Sequence, residues 1–399
     1  MAAVIPSSDT HLTTDTTGHT SDHNNIVDIL KLISGAALGG TVTTKQTMQT
    51  VTGSTPTQGQ LLLGTAAGGS VWTQPPFVIV TPSGDTSGVT DTNNLTTAFG
   101  LYGSTSTVQL VPGNYYVTSL SVDNSQSRLG TGPNTIINGV SAGPTISWHG
   151  QKTAAPWGLM PAFFSGSMRD FMMNGSAAPA GAIGMDIGDG VHFELQHVAV
   201  LSYNKAGSIG INLNNSFASF WTERSHFQAW IEDCTQCVHI TVSGTAQWSF
   251  EFNVFDFVCQ CRTTDDGAAV NQSGVLIDNG AYISKGEFRL RGNWSTSASA
   301  MSTTALTISG SSGGFTSHID QSMVNILCET DNGRAHNPIP IAFGTGNYMR
   351  NCNGLLCFDD GWAASTSASS WAGPTLKFGG VIDGDTTLSS NNSAPLGWL

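Results

Sequence analysis

Ile183-Gly-Met-Asp-Ile187 and Ile209-Gly-Ile-Asn-Leu213 are one short phrase written twice, isoleucine-glycine followed by alternating apolar residues. Related runs follow at Val238-His-Ile-Thr-Val242 and Val275-Leu-Ile-Asp278, and more loosely at Ala305-Leu-Thr-Ile308 and Ile339-Pro-Ile-Ala342, recurring 26 to 37 residues apart. The first four are accompanied by a second run built around aromatic residues: Phe193-Glu-Leu-Gln196, Phe220-Trp-Thr-Glu223, Phe250-Glu-Phe-Asn253 and Gly286-Glu-Phe-Arg-Leu290. A unit of two short strands separated by Gly, Asn and Ser turns cannot bury its apolar face alone, so copies must stack. The expected fold is all-β, a parallel solenoid with two strands per coil and insertions at the turns. A propeller is the competing all-β reading, but its blades need four strands each.

Composition agrees with a turn-rich β protein. Charged residues make up 10% of the 399, against roughly 25% in ordinary globular chains, and glycine alone contributes 47. A net charge of −13 with only 14 Lys and Arg argues against binding nucleic acid through a basic surface. No run of 18 apolar residues occurs, so no membrane insertion is expected. The first thirty residues lack a basic region followed by an apolar core, so synthesis and folding in a cytoplasm are expected.

Seven cysteines suit that compartment better than a disulfide framework. Cys234 and Cys237 form a CxxC, and Cys259 and Cys261 a CxC about one coil later. Four thiolates have the count for zinc, but CxC spacing is poor for a closed tetrahedral site. Small apolar thiols stacked in the interior are expected, with no metal and no cofactor.

Four segments are expected. Residues 1–34 are a polar lead ending in a short amphipathic helix, with Asp22 at the N-cap, Ile26, Ile29, Leu30 and Ile33 on one face and Gly35 as the stop. Residues 35–76 form a Gly/Thr-rich neck that ends at Pro75-Pro76. Residues 77–385 hold the solenoid, and 386–399 cap it. A helix this short is marginal alone, which predicts packing on copies of itself in a homotrimer or on a partner.

Three stretches resemble known families. Gly18-His-Thr-Ser-Asp-His-Asn24 resembles the G-H-T-x-D-H-N signature near the start of minor tail proteins of phages infecting actinobacteria. Its His19 and His23 stand at i, i+4, a metal-ligand spacing equally served by structural histidines. Thr55 to Thr65, ending in Val71-Trp72, is similar to a small β unit that decorates phage tail fibres. Asp91-Thr-Asn-Asn-Leu95-Thr-Thr-Ala98-Phe99, a capped amphipathic helix, followed by Val108-Gln-Leu-Val-Pro-Gly-Asn-Tyr-Tyr-Val117, resembles the entry to the pectate-lyase-like right-handed β-helix family, whose helix closes the first coil. Pectate lyases use clustered Asp calcium ligands and an Arg base, and no such cluster carries over, so no lyase activity is assigned.

Together the resemblances imply a phage virion protein. It would be a minor tail spike or fibre, attached through its N-terminus to other tail or baseplate proteins and meeting host cell-surface glycan. The alternative is a polysaccharide depolymerase on the same scaffold; a secreted bacterial carbohydrate-active enzyme is disfavoured by the first thirty residues. For hydrolysis the candidates are Glu194, Glu223 and Glu251, with Glu287, because side-by-side alignment of the aromatic runs places one carboxylate per coil on an outer face. Coils about 4.8 Å apart would bring neighbouring carboxylates within the separations glycosidases use. A solenoid's outer face also needs polar residues with no catalytic part. Trp221, Trp230, Trp248 and Trp294 are candidates to stack on sugar rings where exposed, with core packing as the other reading.

Overall fold

The computed structural model describes residues 61–64, 70–73, 77–102, 107–123, 128–131, 134–150, 166–216, 221–243, 250–262, 273–295, 304–330, 339–358, 371–372 and 377–379. The helix expected before Gly35, His19, His23 and the cap at 386–399 lie outside these. The chain divides into two compact units, Met1–Pro75 and Pro76–Leu399. In the first, Leu61–Gly64 pairs antiparallel with Ser70–Thr73, placing Leu62 opposite Trp72.

The second unit is a right-handed parallel β-helix. Its strands stack in three parallel sheets of thirteen, eight and six strands, called here the long, middle and short sheets. All six recurring apolar runs lie in the middle sheet, in strands Ala182–Gly188, Ile209–Asn215, Gln236–Val242, Ser273–Ile277, Thr304–Ile308 and Ile339–Phe343. Their inward residues form two columns. Met185, Ile211, Val238, Val275, Leu306 and Ile341 make one, and Ile187, Leu213, Ile240, Ile277, Ile308 and Phe343 the other, all buried.

The glycine of the Ile-Gly phrase has a steric cause. A Cβ on Gly184 would stand 2.5 Å from the carbonyl oxygen of Gly210, and one on Gly210 would stand 2.7 Å from that of Cys237. Each glycine therefore lets its strand lie against the next coil. On the other side of the core, Phe227 and Phe255 stack with ring centroids 5.6 Å apart, flanked by Phe193 at 6.2 Å and Phe288 at 6.3 Å. Such contacts contribute about 0.5–1.5 kcal/mol each beyond burial.

A coil has three strands, not the two expected. The third is only two or three residues long, as in Thr222–Glu223, Phe250–Glu251, Tyr282–Ser284 and His318–Asp320, too short for apolar alternation to register in the sequence. The aromatic-led runs consequently belong to two faces. Phe193 and Gly286 lead into long-sheet strands Glu194–Leu201 and Glu287–Ser295. Phe250-Glu251 and Thr222-Glu223 are short-sheet strands, followed by long-sheet strands Val254–Arg262 and His226–Glu232.

One bend joins the short sheet to the long sheet in every coil. Arg224, Phe252, Lys285, Gln321 and Asn351 hold φ between 50° and 55° there, a left-handed conformation costing a non-glycine residue roughly 1–2 kcal/mol. Hydrogen bonds between coils offset it. Arg224 N donates to Glu251 O at 3.2 Å, Phe252 N to Ser284 O at 3.1 Å, and Lys285 N to Asp320 O at 3.2 Å. One residue on, Phe193 N donates to Ser225 Oγ at 3.0 Å, Ser225 N to Asn253 Oδ1 at 2.8 Å, and Asn253 Nδ2 to Thr222 O at 2.9 Å. Phe252 is 47% exposed as a result, where plain alternation had placed it inside.

The first coil is closed by a helix, Val89–Tyr102, that starts two residues before Asp91. Asp85 caps it, accepting the N–H groups of Ser87 at 2.9 Å and Thr90 at 3.0 Å, and bonds from these two residues hold its carboxyl well below the usual carboxylate range. Asp91 is instead buried, receiving Ser83 N at 2.8 Å and Tyr116 N at 2.9 Å, which ties the helix to strand Gly113–Val117. Leu95, Ala98 and Phe99 enter the core.

The seven cysteines are free thiols, six of them buried, with Cys237 and Cys261 sulfurs 3.8 Å apart in the interior. Burial pushes the Cys352 thiol up to about 11. Native protein is expected to react with a thiol reagent at Cys357 alone, and at all seven once unfolded; rapid labelling of more than two in the native state would contradict this packing. Replacing Asn253 by Ala removes two buried bonds at the bend and is expected to cost about 2–3 kcal/mol. Phe252→Gly relieves the left-handed conformation and should cost nothing, so a denaturation midpoint for Phe252→Gly below that of Asn253→Ala would contradict the account of the bend.

Candidate functional site

The strands place the expected carboxylates on two faces. Glu223 and Glu251 are direct partners on adjacent short-sheet strands, with Ser284, Asp320 and Arg350 continuing their column. Glu194 lies in the long sheet, in the column of Ser167, His226, Val254 and Glu287. Alignment on the aromatic residues had slipped, because the bend falls before Phe193 in one coil and after Glu251 in another. Glu194 thus matches Val254, not Glu251, and the structure does not bring it beside the other two.

Each of these carboxylates but Glu194 is engaged by a cation. Glu223 meets Arg224 Nε at 3.1 Å and receives Trp221 Nε1 at 2.5 Å. Glu251 meets Lys285 Nζ at 3.5 Å, and Glu287 meets Arg289 Nε at 2.7 Å. Of the tryptophans, Trp221 is half-buried, Trp230 is 44% exposed and donates to Glu232 at 3.0 Å, and Trp294 is buried in the core with no face for a sugar. Trp248 lies outside the described residues.

A second cluster was not foreseen. On the outer face of the middle sheet Ser147, Asp186, Asn212 and His239 occupy one column on four consecutive coils. Beside them His149, from strand Gly143–His149, sits between two carboxylates, with Nε2 2.9 Å from Asp186 and Nδ1 3.2 Å from Asp189. Asp189 is 1% exposed and holds φ at 54°, fixed by Ser216 N at 2.8 Å and Ser216 Oγ at 2.6 Å. Asn212 Nδ2 donates to Asp186 at 2.7 Å. Further along, His239 Nε2 lies 2.8 Å from Asp278.

Both ring nitrogens of His149 face carboxylates, an arrangement that favours the doubly protonated imidazolium. Burial works against that charge, but the hydrogen bonds to Asp186 and Asp189 outweigh it and raise the pKa from 6.5 to about 8. The side-chain oxygens of Asn212 and Asn214 are buried with no hydrogen-bond partner. Among the described residues no group of three or more His, Cys, Asp or Glu is arranged to hold a metal ion. The sequence signal for this cluster was the polar fourth residue, Asp186 and Asn212, in the two Ile-Gly phrases.

No protein-family model matches the sequence, and no curated protein matches it. Among solved structures the chain is similar to the ORF18 protein of Geobacillus virus E2, at 14% identity and a TM-score of 0.43, over 82% of this chain and 69% of that one. It is also similar to an alginate lyase from Paenibacillus sp. str. FPU-7, at 11% identity and a TM-score of 0.38, over 75% and 98% of the two chains. Tailspike protein 2 from an Escherichia coli O157:H7 bacteriophage matches at 13% identity and a TM-score of 0.31, over 83% and 46%. At these levels the likeness concerns the β-helical fold.

The His149 pKa is higher in the folded chain than its unfolded value, so its stabilisation is present below pH 6.5 and lost as pH rises through 8. A shift of that size corresponds to about 2 kcal/mol. Stability of the wild type relative to His149→Gln should therefore fall by about that amount between pH 6 and pH 9. A constant difference across the range would contradict the paired geometry.

Proposed function

We propose that this chain is a virion protein, a spike or fibre of a phage tail, whose solenoid binds a hydroxyl-rich glycan of the host envelope. The N-terminal heptapeptide and the order of lead, neck, closing helix and solenoid support the tail assignment. The observation that carries glycan binding is the middle-sheet column. It offers hydroxyl, carboxylate, amide and imidazole groups about every 4.8 Å along the axis, and Ser147, Asp186 and His239 are partly exposed along it. With the carboxylates of Asp186, Asp189 and Asp278 on this face, recognition of this kind suits a neutral polysaccharide better than a polyanion.

The second reading, a depolymerase, is favoured by one pairing. Glu223 and Glu251 stand on adjacent coils, close to the separation that retaining glycosidases use. In that reading one carboxyl protonates the leaving oxygen while the other attacks, and activity follows a bell-shaped pH profile. Their cation partners support the structural reading, since Arg224 and Lys285 already balance both charges.

The test is calorimetric titration with purified host envelope polysaccharide, alongside assay of reducing ends. Wild type is expected to bind, Asn212→Leu to bind at least tenfold more weakly while remaining folded, and neither to release reducing ends. Unchanged affinity in Asn212→Leu would remove the middle sheet from the account. Turnover that disappears in Glu223→Gln and Glu251→Gln would establish the depolymerase; turnover that survives these and Glu194→Gln would exclude all three carboxylates.

A further inference from the structure

The buried thiols are held in two different ways. Cys234 Sγ lies 3.4 Å from Glu232 O and Cys352 Sγ 3.2 Å from Arg350 O, so each directs its proton at the backbone carbonyl two residues back. Cys237 and Cys261 instead meet each other, sulfur to sulfur at 3.8 Å, with neither side chain exposed. Cys237 is the second residue of middle-sheet strand Gln236–Val242, and Cys261 the last but one of long-sheet strand Val254–Arg262. From the first to the second the chain passes through all three sheets. The two sulfurs therefore stand where one full coil returns to its own start.

We infer that Cys237 and Cys261 are a latent redox pair, which a small peroxide joins into a disulfide inside the folded chain. Bonded sulfurs stand about 2.05 Å apart, so the gap to close is under 2 Å, a displacement of the size side-chain rotation gives. Cys237 is the attacking thiol. Hydrogen bonds from Cys259 and Cys261 lower its pKa against the burial that raises it, and the contact with Cys237 raises that of Cys261. Peroxide is little larger than water, so packing that keeps bulky thiol reagents out does not exclude it.

The reaction has two steps. Cys237 Sγ attacks one oxygen of hydrogen peroxide; an S–O bond forms, the O–O bond breaks, and the departing hydroxide takes up the thiol proton as water. Cys261 Sγ then attacks the sulfenic sulfur, an S–S bond replaces the S–O bond, and the second hydroxyl leaves as water with the Cys261 proton. The two sulfurs lose two electrons and the peroxide gains them. The product closes one coil into a covalent ring, fixing the corner between the middle and long sheets without altering their outer faces. It also restricts the unfolded chain, which stabilises the fold. The inference goes beyond the reading as a tail protein and needs it only for the setting, since a chain made in a reducing cytoplasm and carried outside meets oxidants there.

The experiment treats the full chain in native buffer with hydrogen peroxide, alkylates the remaining thiols in denaturant, and maps unreduced peptides by mass spectrometry. A link between residues 237 and 261 is expected, reversed by dithiothreitol, with Cys234, Cys259, Cys328 and Cys352 still free to alkylate. Cys261→Ala is expected to lose the link and Cys352→Ala to keep it. Linked protein should unfold at a higher denaturant concentration than reduced protein, a rise absent from Cys261→Ala. The inference is overturned by a native chain in which Cys237 and Cys261 both stay free, by a bond from either to a different cysteine, or by a link that forms only after unfolding. None of these readings uses polysaccharide, so the outcome is separate from whether the middle sheet binds glycan.

Discussion

Coil-on-coil hydrogen bonding at a fixed spacing is the constraint on which the rest of this structure depends. Within the three stacked sheets every strand lies parallel to its neighbour on the next coil, and the ladder continues through the bend between the short and long sheets, where Arg224, Phe252 and Lys285 donate to the following coil. Closing that ladder requires left-handed backbone at one residue per coil. It also requires a neighbour on each side, which is why Asp85 and Asp91 are committed to fixing a helix over the first coil. A residue's surroundings then follow from its column, since each position meets its counterparts on the coils either side.

Three kinds of column result. The interior ones hold Ile, Val, Phe and Cys, whose thiols and rings fill the space between sheets. The middle sheet's outer column is polar and partly buried, with a histidine clamped between two aspartates and amide oxygens lacking donors. The long sheet's outer column is apolar around Trp230 and Leu327. A solenoid can hold a polar column on one sheet and an apolar column on another without loops, because each sheet's outer face is set by its own columns.

The middle sheet was legible from residue pattern alone, since Ile-Gly phrases of five residues are long enough to show alternation and their glycines are sterically required. The strand pair around Val108 and Val117 and the helix through Leu95 were legible for a similar reason. The short sheet was not. Two-residue strands carry no period, and the left-handed bend shifts Phe252 outward, so aromatic residues on different faces looked equivalent. That shift separated Glu194 from Glu223 and Glu251. His149 was invisible because its partners, Asp186 and Asp189, lie nearly forty residues on and meet it only through the stacking of strand Gly143–His149 on Ala182–Gly188.

The most direct test of the middle sheet's part is a structure of the protein determined with a host envelope oligosaccharide bound. The account predicts sugar density along the middle sheet, with hydroxyls within hydrogen-bond distance of Ser147, Asp186 and His239. Sugar stacked on Trp230, with the middle sheet bare, would contradict it.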